Sequence, residues 1–363
     1  MAPQYTISLY NSTGTLQSIS QDYLHLVISR TINAPDVAQF VYDSNSNNAQ
    51  YLTYGAIVTI TRVDDDAGIS ASTEFSGIIR QITRIVNDRT TYEITAVGMM
   101  ALLGDRIVAW KGNRLNRALW RAKPAETIIK DLFTYNIGSG ATTANGRQLD
   151  GTITGMTTTA TAGTGTVLSI GLAHQNLLAA MQKVADDGGG DFSLTYTAPA
   201  TWTFAWHLGQ LGTDRTATVK LSVPLGTIGE LVVDQNRIAD FTATIVGGTG
   251  EGKARRLATR PAAMPTGLNL REFFIDARNE KKGTLGRLQV VGQVAINRQR
   301  RKRTAYTAKL LQNAALRYGR DYFLGDLVTI LDGSTAITQK ISEVGLEFTS
   351  EGQELVDVTL SDA

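Results

Sequence analysis

Short runs of alternating apolar and polar residues fill the first hundred positions, and this alternation constrains the fold more than any other feature of the sequence. Side chains of a β-strand point alternately to its two faces, so a period of two indicates strands with one buried face. The apolar sets of three such runs are Leu24, Leu26 and Ile28; Val58 and Ile60; and Tyr92, Ile94 and Ala96. Turn-rich segments at 43–50 and 64–70 separate the runs, and MMALLGDR is expected to form a short helix. The pattern predicts an antiparallel β-barrel or sandwich over residues 1–105.

Residues 106–238 combine helical and strand patterns, which predicts a mixed α/β insertion. One helix is expected after Pro124, because apolar residues follow it at helical spacing. Its stripe comprises Ala125, Ile128, Ile129, Leu132 and Phe133, and that of a second helix comprises Leu177, Leu178, Met181, Val184 and Ala185. Glycines at 188–190 end the second helix, and alternating strands follow at 192–196 and 202–206. Between the helices, residues 139–167 are rich in Thr, Gly and Ala and predict a long exposed arm.

The strand pattern returns over residues 239–363. Phe241, Ala243 and Ile245 alternate on one face, and a hairpin is expected around Asp332 and Gly333. One helix is predicted to carry Ala308, Leu311, Ala315 and Tyr318 and to stop at Gly319. The predicted fold class is therefore a β-rich α+β protein with two strand-rich regions, 1–105 and 239–363, flanking the insertion.

Composition excludes several classes of protein. The 363 residues include 35 Lys and Arg against 33 Asp and Glu, so the net charge of +2 gives no general attraction to nucleic acid or anionic membranes. The absence of cysteine excludes disulfides, thiolate metal sites and cysteine nucleophiles. No segment approaches the roughly 18 consecutive apolar residues of a membrane span, and the N-terminus lacks an export signal. We therefore expect a soluble protein synthesised in the cytoplasm.

The segment VGGTGEGKAR, at 246–255, comes close to a phosphate-binding loop. Gly247, Gly252 and Lys253 fit the pattern G-x-x-x-x-G-K-[ST], but Ala254 replaces the hydroxyl residue that holds magnesium. A phosphate-binding loop also opens a long helix, whereas ARRLATRPAAMPTG contains two prolines and little apolar periodicity. The segment predicts a glycine-rich loop after a strand, without a nucleotide.

Other chemical motifs are incomplete. In DDDAGISASTE, counted from Asp64, the glycine falls at position 5 and Glu74 at position 11, which is not the spacing of a calcium loop. His25, His174 and His207 are widely separated, and no G-x-S-x-G motif is present. We therefore predict no catalytic residues, no metal, no cofactor and no small-molecule ligand.

The run NRQRRKR, at 297–303, is the sharpest local charge feature. Binding of nucleic-acid phosphates is one interpretation, but no aromatic residues interleave with the run to stack bases. A protein contact or a solvated surface ahead of a helix is favoured instead. The predicted interface residues are Arg300, Arg301, Lys302 and Arg303.

Nearly the whole chain resembles the tail hub proteins of long-tailed bacteriophages, a family related to the baseplate hub of contractile tails. The first part carries YLTYGAIVTITR, FSGIIRQITR and YEITAVGMMALLGDRIV; the middle part carries KPAETIIKDLF and NLLAAMQKVADDGGGDFSL; the last part carries GGTGEGKAR, REFFIDARNE and YGRDYFLGDLVTI. Each segment alone is weakly specific, so the resemblance depends on their shared order.

The resemblance implies two tube-like antiparallel β-barrel domains, 1–105 and 239–363, flanking an inserted domain at 106–238 that contains the arm. It implies a homotrimeric, pseudo-sixfold ring that joins the sixfold tail tube or distal tail ring to a threefold tip and lines the DNA channel. The implied partners are the distal tail protein or tube, a tip, spike or fibre protein, and the tape measure protein. DNA would pass without specific binding, and the basic residues 300–303 would face a neighbouring subunit or ring. A tip-associated cell-envelope hydrolase and a basic nucleic-acid-binding protein are the competing hypotheses.

Overall fold

The computed structural model describes residues 3–109, 118–278, 284–301, 304–311, 316–348 and 352–362. Two compact units are distinguished. The larger unit comprises Met1–Gly229 and Lys309–Val358, and the smaller unit comprises Glu230–Ala308 and Thr359–Ala363. Within the described residues, every helix is too short or too polar to cross a membrane. The domain boundaries at 105 and 238 stay predictions.

The secondary structure is dominated by strands. In chain order these are β1 (Gln4–Tyr10), β2 (Leu16–Ser20), β3 (His25–Thr31), β4 (Val37–Asp43), β5 (Ile57–Asp64), β6 (Ile69–Val86), β7 (Thr90–Gly98), β8 (Ala118–Pro124), β9 (Met156–Thr158), β10 (Val167–Leu172), β11 (Gly190–Ala198), β12 (Thr201–Leu208), β13 (Lys220–Leu221), β14 (Ile228–Gln235), β15 (Ala243–Gly247), β16 (Leu257–Arg260), β17 (Glu272–Asp276), β18 (Thr304–Leu310), β19 (Leu327–Asp332), β20 (Thr335–Phe348) and β21 (Glu354–Asp362). The helices are α1 (Ala101–Gly104), α2 (Ala125–Asn136), α3 (Leu177–Gly188) and α4 (Leu285–Arg301). The predicted β-rich fold class is confirmed.

The main sheet of the larger unit joins the N-terminal strands to strands from the end of the chain. Its order includes β21-β20-β3-β4-β7-β6-β5-β1-β2, and β19 also pairs with β20. β20 is long enough to pair antiparallel with β19 through Thr335–Lys340 and with β3 through Glu343–Phe348. The strand order of the described residues does not close on itself, so neither predicted barrel is observed as a closed barrel.

The alternation of the first hundred residues correctly predicts the strands of this sheet. Ile28, Ile60 and Ala96 are fully buried on β3, β5 and β7. The predicted hairpin near the C-terminus is also confirmed, because Asp332 pairs with Thr335 and Gly333 adopts a positive φ of 58°. That left-handed conformation favours glycine in a two-residue turn.

The predicted helices α2 and α3 pack together and against the β11–β12 hairpin. All five residues of the predicted α2 stripe are fully buried, and the Phe133 ring stacks on Phe204 with centroids 4.7 Å apart. Gly189 ends α3 in the left-handed conformation, at φ 71°. Gly188 permits close approach of the helices, since a β-carbon there would lie 2.2 Å from the β-carbon of Ala125. The apolar core around α2 and α3 therefore lies where the helical periodicity indicated.

The Thr- and Gly-rich segment 139–167 is mostly irregular, apart from β9 and the first residue of β10, and it is not wholly exposed. Ala141 and Met156 are buried, and Met156 belongs to the core around α2. The exposed-arm prediction overlooked backbone hydrogen bonding. Glu126 accepts hydrogen bonds from the backbone N–H groups of Ala162 (3.1 Å) and Thr164 (2.8 Å), so a side chain of α2 holds the segment.

Substitution Glu126→Gln is expected to loosen this segment. Glu126 also pairs with the buried Lys130 at 2.7 Å. Burial raises the pKa of Glu126, but the hydrogen bonds from Lys130, Thr164 and Ala162 outweigh burial and lower the pKa from 4.5 to about 2. The charged form therefore stabilises the fold above pH 4.5, and this contribution is lost as the pH falls toward 2.

We expect Glu126→Gln to lower the free energy of unfolding by about 1.5–3 kcal/mol at pH 7, the usual worth of hydrogen bonds to a charged group. Hydrogen exchange should accelerate at the amides of Ala162 and Thr164. The control Asp187→Asn alters the exposed i,i+4 pair with Lys183 and should change stability by less than about 1 kcal/mol. Equal effects of the two variants, or an effect of Glu126→Gln that does not shrink below pH 4, would contradict this role.

The smaller unit contains a three-stranded sheet covered by α4. β15 lies in the centre, antiparallel to β16 and parallel to β17, and α4 packs on β15 and β16. Gly292 permits the close approach, because a β-carbon there would lie 2.5 Å from Thr244 Oγ1. Among the described residues, Val246, Ala258, Ala277 and Leu288 form a buried apolar cluster between α4 and this sheet.

The predicted helix spanning Ala308 and Tyr318 is wrong. Ala308 lies in β18, where it is buried together with Tyr306 and Leu310. These alternate with exposed Thr307 and Lys309, so a period of two describes the segment better than a helical period. The helix of this region is α4, which ends before β18. Ala315 lies outside the described residues.

Candidate functional site

A buried ion-pair network occupies the inner face of the larger unit's main sheet. Arg62 on β5 donates from Nε and Nη2 to the two carboxylate oxygens of Glu354, at 2.7 and 2.9 Å. Nη2 also donates to Asp64, at 2.7 Å. The side chain of Arg62 is 0% exposed, and those of both carboxylates are 3% exposed or less. A bidentate arginine therefore joins strands that are 292 positions apart.

Tyr318 extends the network toward β3 and β6. Its hydroxyl donates to Glu74 (2.8 Å) and accepts from Arg30 (2.9 Å), while Arg30 also donates to Glu74 (2.8 Å). Burial raises the pKa of the Tyr318 hydroxyl, which keeps it protonated as the donor to Glu74. Burial and the nearby charge of Glu354 likewise raise the pKa of Tyr5, which donates a short hydrogen bond to Glu354.

The charges of this network are balanced. Arg317 approaches Asp64 at 3.6 Å, so Arg30, Arg62 and Arg317 face Asp64, Glu74 and Glu354. A buried charge is tolerated only when it is paired and hydrogen-bonded. Each charged group of the network has an oppositely charged partner, although Arg30 Nε has no hydrogen-bond partner, so the network joins distant strands of the sheet.

A cavity of about 110 Å³ lies beside the network, between β3, β6 and β11, with Arg30, Asp36, Glu74 and Ser193 in its lining. A volume of that size holds about three or four water molecules. Burial raises the pKa of Asp36 to about 6, against the opposing effect of Arg30. Its lining is about equally polar and apolar, and its small volume fits a few water molecules better than a drug-sized organic ligand.

The glycine-rich segment is a loop after a strand, as predicted. β15 ends at Gly247, a 3₁₀ turn follows at Gly252–Ala254, and the next element is the strand β16. The guanidinium of Arg255 fills the loop by donating to the carbonyls of Gly248 (3.2 Å) and Gly247 (3.4 Å). A phosphate cradle needs converging N–H groups at the start of a helix, and this loop turns carbonyls toward a cation instead.

Mg-ATP is therefore expected to leave the protein's thermal midpoint unchanged. A ligand that binds only the folded state at a concentration 100 times its Kd adds about 2.7 kcal/mol of stability, which differential scanning fluorimetry detects readily. The variant Lys253→Ala serves as the control, because a nucleotide site would lose the nucleotide-dependent shift in that variant. A reproducible rise of the midpoint that Lys253→Ala abolishes would contradict the loop assignment.

The DDDAGISASTE segment is a turn between β5 and β6, also as predicted. A 3₁₀ turn spans Asp65–Ala67, and Asp64 caps it by accepting from the N–H of Ala67 at 3.1 Å. Sequence reasoning missed that Asp64 and Glu74 belong to the buried network. The signal was the alternation itself, because Val58, Ile60, Arg62 and Asp64 share one face of β5.

The three histidines lie apart, on β3, before α3 and on β12. His207 Nε2 and Ser193 Oγ are 2.8 Å apart, which resembles a nucleophile–base pair. The carboxylate of Asp191, which pairs in register with His207, accepts instead from Asn33, Leu211 N–H and Lys340. The pair thus lacks the orienting group of a triad. Over the described ranges, no cluster of three or more His, Asp or Glu side chains is placed to bind a metal.

The basic run lies at the C-terminal end of α4, not ahead of a helix. Positive charge there complements the negative end of the helix dipole. α4 ends with the backbone of Arg300 and Arg301. The side chains of these two residues, and the whole of Lys302 and Arg303, lie outside the described residues, so their role at an interface stays a prediction.

One protein family matches the sequence, and several solved structures share its fold. The family model described as "Siphovirus ReqiPepy6 Gp37-like protein" matches residues 6–360. No curated protein matches the sequence significantly. The fold is similar to that of the tail protein from Neisseria meningitidis MC58, with a TM-score of 0.62, 10% identity and coverage of 99% of this chain and 97% of that chain.

Two further solved structures share the fold. The prophage MuSo2 43 kDa tail protein from Shewanella oneidensis gives a TM-score of 0.59 at 13% identity, covering 98% of this chain and 97% of its own. Prophage tail protein gp18 from Listeria monocytogenes EGD-e gives 0.54 at 11% identity, covering 98% and 94%. At such identities the likeness establishes a common fold over nearly the full length of each chain.

Proposed function

Because the chain belongs to the family of Siphovirus ReqiPepy6 Gp37-like proteins, a family of phage tail structural proteins, we propose that it is a tail hub. In this proposal three copies form a ring that joins the hexameric tail tube or distal tail ring to the trimeric tip. The observation that carries the proposal is the family match over residues 6–360, combined with a fold shared with tail proteins along nearly their whole length.

The proposed ring has pseudo-sixfold symmetry because each copy contributes two tube-like parts, from 1–105 and 239–363. A ring needs one heterologous contact repeated by rotation until it closes. The ion-pair network supports such a role, since it fixes β21 and Tyr318 to the N-terminal strands and gives the larger unit one defined sheet. A structural ring requires a rigid sheet and extensive interfaces but no active site.

The proposed partners follow from the position between tube and tip: the distal tail protein or tube on one side, a tip, spike or fibre protein on the other, and the tape measure protein. The protein would be synthesised in the host cytoplasm and would reside in the virion tail. Genomic DNA would pass through the lumen without specific contacts. Residues Arg300–Arg303 would face a neighbouring subunit or ring, since positive charge in the lumen would retain DNA phosphates.

Size-exclusion chromatography with multi-angle light scattering tests the stoichiometry. The purified protein is expected to elute with three times the mass of one chain. Zymography on cell-wall material is the accompanying control, with no clearing expected. A monomer at every concentration tested, or a lytic band, would overturn the proposed function.

A further inference from the structure

The two parts of the chain carry opposite net charges, although the whole chain is nearly neutral. Residues 230–308 contain 15 Lys and Arg against 7 Asp and Glu, whereas the remaining residues contain 20 against 26. The segment that forms most of the smaller unit is therefore strongly basic, and the rest of the chain is acidic. Such an asymmetry creates a long-range attraction between the basic part of one copy and the acidic part of another.

The same basic segment exposes an unusual amount of apolar surface. Of the 25 large apolar side chains that are exposed among the described residues, 12 lie within 230–308. They include Leu257, Leu268, Leu270, Phe273 and Phe274. Concentrated apolar exposure of this kind marks an interaction surface.

The strand β17 carries two of these exposed residues, Phe273 and Phe274. It is an edge strand, and α4 packs on the other two strands of the sheet. Phe273 and Phe274 are consecutive, so they point to opposite faces, yet they are 48% and 50% exposed. β17 is thus half uncovered on both faces.

The apolar cluster between α4 and this sheet is small. It contains four buried residues, Val246, Ala258, Ala277 and Leu288, none of which lies on β17 between Glu272 and Asp276. Association that covers β17 would add apolar burial to this sheet.

Each aromatic ring of β17 has one face occupied. Phe273 stacks on Phe241 with centroids 4.7 Å apart, and the Arg255 guanidinium lies 5.1 Å from the Phe274 ring centroid. Only the opposite face of each ring is left for a partner, whether a protein side chain or a nucleic-acid base. Partial exposure combined with basic charge favours an acidic protein surface.

We propose that β17, with its exposed Phe273 and Phe274, forms the contact between the basic smaller unit of one copy and the larger unit of a second copy, whose net charge is negative. This contact rests on the proposed homotrimeric ring and specifies its heterologous interface. Charge complementarity sets the orientation of the contact and apolar burial stabilises it, so trimer formation weakens as salt rises.

The test is light scattering of the full-length protein across a concentration series, in about 0.1 M and about 1 M NaCl. The screening length falls from ~10 Å to ~3 Å between these conditions. We expect the trimer dissociation constant to rise roughly tenfold or more at high salt. A purely apolar contact would be unchanged or strengthened by salt.

The variant Phe274→Ser should raise the dissociation constant by roughly tenfold or more, as expected for a central aromatic contact. The matched control is Phe323→Ser in the larger unit, because Phe323 is 39% exposed and lies under Arg215 at 5.1 Å. The control should assemble like the unaltered protein. Should Phe274→Ser lose its folded circular dichroism spectrum, Leu268→Ser replaces it, since Leu268 is fully exposed.

The results of these experiments distinguish failure of the β17 contact from failure of the proposed hub function. An unaltered protein that is monomeric throughout contradicts both. A trimer that resists high salt and tolerates Phe274→Ser and Leu268→Ser overturns the β17 contact and leaves the hub proposal intact. Micromolar binding of a labelled DNA duplex or single strand that Phe274→Ser abolishes would assign the surface to nucleic acid and also overturn the contact.

Discussion

Replacing Arg62 by alanine is expected to lower the free energy of unfolding of the larger unit by about 3–5 kcal/mol. The substitution leaves Glu354 and Asp64 buried without the guanidinium that accounts for three of their hydrogen bonds. Removing one partner of a buried pair is more costly than removing both, because the remaining charge cannot be hydrated. Urea unfolding followed by tryptophan fluorescence measures the effect, since Trp120, Trp202 and Trp206 are buried in the larger unit.

The matched control for this prediction is Arg80→Ala. Arg80 pairs with Asp105, and both side chains are more than 40% exposed. An exposed pair contributes about 0–1 kcal/mol, so the control should shift the urea midpoint only slightly. If Arg62→Ala lowered the free energy of unfolding as little as Arg80→Ala does, the buried ion pairs would not stabilise the sheet.

Replacing Phe133 by alanine is expected to cost about 3–5 kcal/mol, the range for truncating a buried aromatic residue. The Phe133 ring is fully buried and stacks on Phe204, so its removal leaves a cavity between α2 and β12. The same urea experiment reports the change. Leu149→Ala is the control, because Leu149 is 73% exposed and its truncation should alter stability by less than about 0.5 kcal/mol.

A small effect of Phe133→Ala would show that the insertion rearranges to fill the space. A cooperative loss that also releases residues 139–167 to hydrogen exchange would show that the segment depends on α2 beyond its contact with Glu126. Together with Glu126→Gln, this variant separates apolar packing of the insertion from the polar attachment of its irregular segment.

Local periodicity correctly predicted the strands and helices that bury one regular face. The strands carrying Ile28, Ile60 and Ala96 and the helix carrying Phe133 each bury one regular face, so spacing alone identifies them. The secondary structure around Ala308 was harder to predict, because Ala308 fits both a helical and an alternating pattern. The burial of Tyr306 and Leu310, two positions before and after Ala308, is the alternation of a strand.

The buried network was beyond reach of the sequence for a different reason. Its residues are polar, and the partner of Arg62 lies 292 positions away, where no local pattern indicates it. The alternation of β5 does place Arg62 on the buried face, which shows that a partner is required without showing which one. Likewise, the composition of residues 139–167 predicted irregular structure correctly but gave no sign that Glu126 would hold the backbone.

The position of the basic segment 297–303 relative to a helix is a third feature that the sequence did not predict. Its charge was evident from the sequence, but its relation to α4 was not, because the apolar stripe of α4 is interrupted by Gly292. That glycine fits the helix closely against Thr244 and Val246. A small residue at a packing contact weakens the apolar signal at the point where the packing is tightest.

Electron cryomicroscopy of assembled tails, at a resolution that traces the chain, would locate every copy along the tail axis. We expect three copies around the axis between the tube and the tip, with β17 of each copy against the acidic larger unit of its neighbour. A single copy, six identical copies, or a chain located away from the axis would contradict it.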